Sequence, residues 1–187
     1  MRLPPYAVRV GGILLPKPVS GHPALELCNT LAGWDDPPKT RNEWLTSAEH
    51  VAVWAEFTGL VARCPRADVL ADLRELRDAA YRVLRHRNET AFGVLAAYAD
   101  EANAQRRLTP ADGFVLRESP RMALHAAALA VADLLSRQEQ DTIRACPGSG
   151  CGWLFLDPRG RRVWCSMAAC GNRSKVRRYA TRKRTDP

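Results

Sequence analysis

The sequence has no apolar run long enough to cross a membrane. The Ala-rich stretch at 122–135 is shorter than the roughly 18 or more apolar residues of a membrane span, and Asp133 interrupts it. The apolar stretch at 8–15 is too short for a signal peptide, contains Gly11 and Gly12, and is followed by prolines. We therefore expect a cytoplasmic protein with no membrane partner.

Signatures of catalysis are also missing. The four histidines, at positions 22, 50, 86 and 125, are scattered and do not form an HExxH motif. The sequence shows no Gly-rich phosphate loop, and no serine or cysteine is paired with an obvious base. We expect a binding protein and not an enzyme.

Acidic residues are nearly absent from the end of the chain. From Arg144 onward, eleven Arg and Lys residues are accompanied only by Asp157 and Asp186, which gives this segment a net charge of +9. Residues 1–143 have a net charge of −1, so the tail carries all of the chain's excess of +8. This asymmetry predicts a polyanionic partner for the tail.

The first 141 residues are typical of a mainly α-helical domain with a small β element. Apolar residues at helical spacing predict helices that begin near residue 23, at 46–59, from 66 or 67, at 90–106 and at 119–135. Thr40 with Glu43, and Thr46 with Glu49, match the capping-box pattern. Short strands are expected at 8–15 and 114–116, and Phe92 is expected to face the core. We expect this domain to fold without the tail.

Four of the six cysteines form two close pairs. Cys146 and Cys151 are separated by four residues, thirteen residues follow, and Cys165 and Cys170 are again four residues apart. Two pairs joined by a short connection are typical of a structural zinc site, in which four thiolates leave no position for water. Two disulfides, or cysteines packed as small hydrophobic residues, are the alternatives. Cys28 and Cys64 lie outside this cluster.

The segment 142–187 is therefore predicted to be a zinc module with one structural Zn²⁺ per chain. Its hairpin would consist of strands at 153–155 and 163–164 joined by a turn at 157–160. A helix would follow Cys170, with Val176 and Tyr179 packed against the hairpin. Glycines at 148, 150 and 152 would allow the tight turn of the first cysteine pair.

The basic residues of this module are the candidate nucleic-acid ligands. They are Arg161, Arg162, Arg173, Lys175, Arg177, Arg178, Arg182 and Lys183. Arginine can pair with phosphates or with guanine edges, and the single tyrosine offers no platform for unpaired bases, so duplex DNA is favoured over RNA. The alternatives are a weakly binding basic tail and a protein interface. For Arg173, a structural role beside the last cysteine is a second interpretation.

The motifs around these cysteines resemble the CGNR zinc-finger family. The matching residues are Phe155-Leu156-Asp157, Arg161-Arg162, Trp164-Cys165 and Cys170-Gly171-Asn172-Arg173. In that family the finger follows a helical domain called ABATE, which is associated with stress-induced transcription regulation. The segment 25–31, with Asn29-Thr30, resembles the opening of that domain. The resemblance implies that Cys146, Cys151, Cys165 and Cys170 bind zinc.

Together these patterns predict a mainly α fold with a treble-clef-like zinc module of hairpin and helix. The predicted function is that of a DNA-binding transcriptional regulator whose helical domain senses a small-molecule effector or forms a homodimer. The candidate effector pocket comprises Asn29, Thr30, Trp34 and Trp54; alternatively, Asn29 and Thr30 make local hydrogen bonds. An RNA- or ribosome-associated protein and a protein–protein adaptor are the rival functions.

Overall fold

The computed structural model describes residues 3–185, with side chains up to residue 183. Within this range the fold is built mainly from helices. They are α1 (Pro23–Cys28), α2 (Ala48–Phe57), α3 (Leu70–His86), α4 (Glu89–Ala104), α5 (Met122–Ser136) and α6 (Asn172–Thr185). No helix in the described range is long and apolar enough to span a bilayer.

The strands are short and pair as antiparallel ribbons. The pairs are β1 (Ala7–Val10) with β2 (Ile13–Pro16), β3 (Leu31–Ala32) with β4 (Asn42–Glu43), β5 (Arg106–Thr109) with β6 (Gly113–Leu116), and β7 (Ile143–Ala145) with β8 (Leu154–Leu156). The β1–β2 ribbon turns through Gly11 and Gly12, whose positive φ angles of 54° and 86° suit a two-residue hairpin.

Helix α5 occupies the centre of the helical body. It is apolar almost all round and packs against α1, α3 and α4. Helices α3 and α4 form an antiparallel pair whose short connection contains Arg87 in the left-handed region, at φ 54°. Asn88 then caps α4 by accepting a hydrogen bond from the backbone N–H of Ala91 at 2.7 Å.

The zinc-module segment is not packed separately from the helical body. Leu154 of β8 is fully buried and belongs to the same apolar core as α1, α3 and α5. A second apolar cluster contains Trp153 and Phe155 together with Trp44 and Ala7 from the first part of the chain. The proposed boundary at residue 141 therefore falls between two segments that share buried surface.

Several sequence-based expectations about the helical body are corrected by the structure. Phe92 is 51% exposed and does not face the core. Thr40 and Glu43 do not open a helix, because residues 38–40 form a single 3₁₀ turn and residues 42–43 form β4. The cap of α2 is Ser47, which accepts from the backbone N–H of His50, and not Thr46. Helix α3 begins at residue 70 and not at 66 or 67, because residues 61–69, which include Pro65, form a loop.

The strand pairing of the zinc module also differs from the sequence-based expectation. Strand β8 pairs with β7, which precedes the first cysteine, and residues 163–164 are not in a strand. Val163 is 59% exposed. The expected hairpin between the two cysteine pairs is therefore not formed. Instead, β7 and β8 form a ribbon that brings together only the first pair, Cys146 and Cys151.

Because Leu154 lies in the shared core, its truncation is expected to destabilise the whole protein. We predict that Leu154→Ala lowers the free energy of unfolding by about 2–5 kcal/mol, the usual cost of emptying a buried leucine site. Urea denaturation of the zinc-loaded protein, monitored by the circular dichroism signal of the helices, measures this free energy. The control is Leu108→Ala at a site that is 70% exposed, where a change within about 0.5 kcal/mol is expected. Equal effects at the two sites would contradict a shared core.

The zinc centre and candidate nucleic-acid interface

The four clustered cysteines meet at one point of the structure. Their sulfur atoms all lie within 4.8 Å of one another, and all four residues are at most 5% exposed. The Sγ atoms of Cys151 and Cys165 are 3.7 Å apart, and those of Cys165 and Cys170 are 3.6 Å apart. A tetrahedral zinc ion with Zn–S bonds of about 2.3 Å requires sulfur atoms about 3.8 Å apart.

This geometry decides among the three interpretations of the cysteines. Sulfur atoms at 3.6–3.7 Å are not bonded to each other, because a disulfide is about 2.05 Å long. Four buried sulfur atoms that all lie within 4.8 Å of one another fit a metal better than simple packing. Cys146, Cys151, Cys165 and Cys170 therefore hold one structural Zn²⁺, which ties the two halves of the finger together.

The first cysteine pair is shaped by β7, β8 and the glycines between them. The backbone N–H of Cys146 donates to Trp153 at 2.8 Å, and that of Cys151 donates to Gly148 at 3.0 Å. A side chain on Gly148 would place its Cβ 2.9 Å from the sulfur of Cys170. The close approach of the two cysteine pairs thus requires glycine at this position.

The second pair leads directly into α6. Cys170 lies in a single π-helical turn, Met167–Gly171, and α6 begins two residues after it. Four thiolates and Zn²⁺ have a net charge of −2, and the partial positive charge of a helix N-terminus stabilises such an anion. The zinc centre is therefore well placed to stabilise the start of α6.

Arg173 contacts the zinc centre directly. Its guanidinium donates to the sulfur of Cys170 at 3.0 Å and lies 5.9 Å from the ring centroid of Tyr6. This contact supports the structural interpretation of Arg173, since its guanidinium offsets part of the negative charge of the thiolates.

Arg162 and Asp157 organise the loop between the two cysteine pairs. The buried carboxylate of Asp157 accepts from the backbone N–H groups of Arg161 at 2.9 Å and Arg162 at 3.1 Å. The Arg162 guanidinium donates to three carbonyls, those of Val19, Leu156 and Cys165. It also lies 4.3 Å from the ring centroid of Phe155. These contacts give Arg162 a structural role that the sequence pattern did not reveal.

All eight basic candidates are exposed, including Arg162 and Arg173. Arg161 lies on the loop, and Lys175, Arg177, Arg178, Arg182 and Lys183 project from α6. Lys183 lies 5.2 Å from the ring centroid of Tyr179. Among the described residues, Lys175, Arg177 and Arg178 have no carboxylate within salt-bridge distance.

Helix α6 projects from the body of the protein. Val176 and Tyr179 are 67% and 63% exposed, so the expectation that they pack against the finger is wrong. Residues 175–179 and 181–183 are all exposed, and α6 packs mainly on the π-helical turn that holds Cys170. The zinc centre therefore anchors the first turn of α6 and leaves the later turns accessible.

The four residues suggested for an effector pocket contact the protein's own chain. Asn29, Thr30 and Trp54 are at most 1% exposed. Asn29 bonds to the backbone of Leu154, and Thr30 donates to Leu27 at 2.7 Å. This supports the alternative of hydrogen bonding for Asn29 and Thr30, although the partner of Asn29 is distant in sequence. The effector pocket stays a prediction, and the side chains of Asn29, Thr30 and Trp54 are buried within the protein.

Trp34, the fourth of these residues, also has internal partners. Its ring stacks on Tyr81 with 3.7 Å between centroids, and its indole N–H donates to the carbonyl of Cys28 at 3.1 Å. Tyr81 in turn donates to Gly152 of the finger at 2.8 Å. No sequence pattern identified Tyr81 as a residue that contacts the finger.

Cys28 and Cys64 do not take part in the zinc centre. Cys28 is fully buried in the core of the helical body, and burial raises the pKa of its thiol to about 12. Cys64 lies in the loop before α3, where burial again raises the thiol pKa. Neither has the low pKa and exposure of a reactive thiol.

The helical body and the four-thiolate site together define a helical protein with a structural zinc finger. Residues 142–183 match the CGNR zinc finger, and residues 21–138 match ABATE, described as "putative stress-induced transcription regulator". The chain belongs to the ABATE family and ends in a CGNR zinc finger. A search among curated proteins found no match.

The zinc assignment predicts one tightly bound zinc per chain. We expect Cys151→Ser to lose tight zinc binding, because serine is a poor ligand for a site built for thiolates. Cys28→Ser and Cys64→Ser are the controls and should keep one zinc per chain. Metal analysis after gel filtration measures the stoichiometry. Full zinc retention in Cys151→Ser would contradict the ligand set.

The contact between Arg173 and Cys170 predicts an effect on zinc affinity. Partners of metal ligands typically contribute about 10–100-fold, so Arg173→Ala should raise the zinc dissociation constant by about that factor. Lys175→Ala removes an exposed charge from the same helix and should leave zinc affinity unchanged. Competition with a chromogenic chelator measures both. If the two variants bind zinc alike, Arg173 is not a partner of the zinc centre.

Proposed function

We propose that this protein is a DNA-binding transcriptional regulator in which α6 contacts duplex DNA. The observation that carries the proposal is the exposed, uniformly basic surface of α6. The helix Asn172–Thr185 has seven Arg and Lys residues and no acidic residue. The membership of the chain in the ABATE family supports a regulatory role for the whole chain and not catalysis.

The charge pattern of α6 is unfavourable unless a polyanion is present. Arg173 and Arg177, and also Arg178 and Arg182, are four residues apart, and like charges at this spacing destabilise a helix. A helix that is polar on all sides gains little from packing. Phosphates would neutralise these charges and release counterions, so nucleic-acid binding would stabilise α6 itself.

The shape and side chains of α6 favour a duplex over a single strand. A projecting helix fits the major groove of B-DNA, and arginines can pair there with guanine as well as with phosphates. The exposed Val176 offers an apolar contact for a thymine methyl group. Tyr179 is the one aromatic residue of α6, whereas single-strand binders use several aromatic residues for stacking.

The residues divide into two groups under this proposal. Lys175, Arg177, Arg178, Arg182 and Lys183, with Arg161 from the loop, would contact DNA. Arg162 and Arg173 would act indirectly by holding the loop and the zinc centre. A role of the helical domain in sensing an effector or forming a homodimer belongs to the same proposal.

Binding measurements across a salt series test the proposal. The zinc-loaded protein should bind labelled duplex DNA more tightly than an RNA hairpin of equal length. Arg177→Ala and Arg178→Ala should each weaken binding and lower the slope of log K against log salt by about 0.9. The control is Arg82→Ala, which removes an exposed arginine from α3 and should change neither quantity.

The rival functions give different results in the same assay. Tighter binding to the RNA hairpin would indicate an RNA- or ribosome-associated protein. No binding to either nucleic acid, together with a protein partner that survives nuclease treatment in a pull-down, would indicate an adaptor. In both cases the DNA-binding proposal fails.

A further inference from the structure

The zinc finger is joined to the helical body by an unbroken run of hydrogen bonds. Every residue from Cys151 to Leu154 bonds to a residue of the first 81 positions. The contacts are Gly33 N–H to Cys151 at 2.8 Å, Tyr81 O–H to Gly152 at 2.8 Å, Trp153 Nε1–H to Leu31 at 3.1 Å, and the side-chain amide of Asn29 to Leu154. We propose that zinc binding and folding of the helical body form one cooperative unit, and that Asn29 is the positioning residue that couples them.

Asn29 satisfies both backbone groups of one finger residue. Its amide N–H donates to the carbonyl of Leu154 at 2.9 Å, and its amide oxygen accepts from the N–H of Leu154 at 2.8 Å. Asn29 and Leu154 are each 0% exposed, so water does not replace these bonds in the folded protein. If β8 moves away, the side-chain amide of Asn29 and the backbone N–H and carbonyl of Leu154 all lose their hydrogen-bond partners. Leaving these buried polar groups unpaired is strongly unfavourable.

The side chain of Leu154 adds an apolar link to the same contact. It is part of the core formed by α1, α3 and α5, so displacement of β8 would leave a cavity there. The neighbouring bond from Tyr81 to Gly152 connects α3 to the finger, and the Tyr81 ring is stacked on Trp34. Loss of the finger would thus disturb packing in the centre of the helical body.

Zinc controls whether β8 can keep this position. Cys151 lies three residues before Leu154, and β8 is held by β7 and by the turn that Cys146 and Cys151 close around the metal. A segment this short has too little apolar surface to fold by burial alone. Loss of zinc would release the turn and then β8.

Zinc binding and folding of the helical body must therefore affect each other equally. A ligand that binds only the folded state stabilises it, and the coupling between two linked equilibria is reciprocal. Zinc would raise the stability of the helical body, and contacts made by the helical body would raise the affinity for zinc. This differs from the sequence-based expectation that residues 1–141 fold without the finger.

Two asparagine variants of the full chain test the coupling. Asn29→Ala removes the contact with Leu154 and is expected to raise the zinc dissociation constant at least about tenfold, within the usual range of coupling between sites. Asn103→Ala replaces an exposed asparagine near the end of α4 and leaves the contact with Leu154 intact. We expect the zinc affinity of Asn103→Ala to stay within about twofold of that of the unmodified chain. Equal affinities for all three proteins would overturn the role of Asn29.

Hydrogen exchange on the unmodified chain gives a second test that does not depend on a variant folding. Amides of α1, of α3 near Tyr81 and of β3 should lose protection when a chelator removes zinc, and should regain it when zinc is returned. If exchange increases only at residues 143–185, the helical body folds independently and the proposal is wrong. Neither test involves DNA, so its outcome is separate from that of the proposed function.

Discussion

Four thiolates cannot remain within 4.8 Å of one another without a cation, and most of the finger depends on that constraint. Their mutual repulsion in a buried site is large, and Zn²⁺ more than compensates for it by bonding to all four. Once the metal is bound, the Cys146–Cys151 turn holds β8 against the helical body, and Cys170 marks the start of α6. The same centre therefore positions a buried strand on one side and an exposed basic helix on the other.

The positive charges near the metal are of two kinds. Arg173 and Arg162 have internal partners, a thiolate for the first and three carbonyls for the second. Lys175, Arg177 and Arg178 lie on the exposed surface of α6, where the described residues offer no carboxylate within salt-bridge distance. This separation explains why a strongly basic segment can both fold around an anionic metal site and keep charge available for a polyanion.

The sequence predicted the features that depend on local spacing. The order of the helices, the buried character of α5, the four zinc ligands and the excess of charge in the tail all follow from periodicity, cysteine spacing and composition. The contact between Asn29 and Leu154 joins residues 125 positions apart, and no local pattern identifies a distant partner. The pairing of β8 with β7 was missed although the two strands are close in sequence, because the turn pattern at 157–160 favoured a partner on the other side of β8. Val176 and Tyr179 were misplaced because apolar spacing on a helix does not show whether a neighbour lies beside it.

The arrangement also explains how so short a finger can be ordered. Among residues 142–183, the large apolar side chains that are buried are Trp153, Leu154 and Phe155, and these three are consecutive. In a strand, successive side chains point to opposite faces. Leu154 accordingly enters the helical core, whereas Trp153 and Phe155 enter the cluster with the cysteines and Trp44. Both faces of β8 are thus buried, one by the helical body and one around the metal. Because β8 is buried on both sides, it is difficult for the helical body or the zinc centre to unfold alone. If one of them leaves β8, the surface that the strand buries against the other becomes exposed as well.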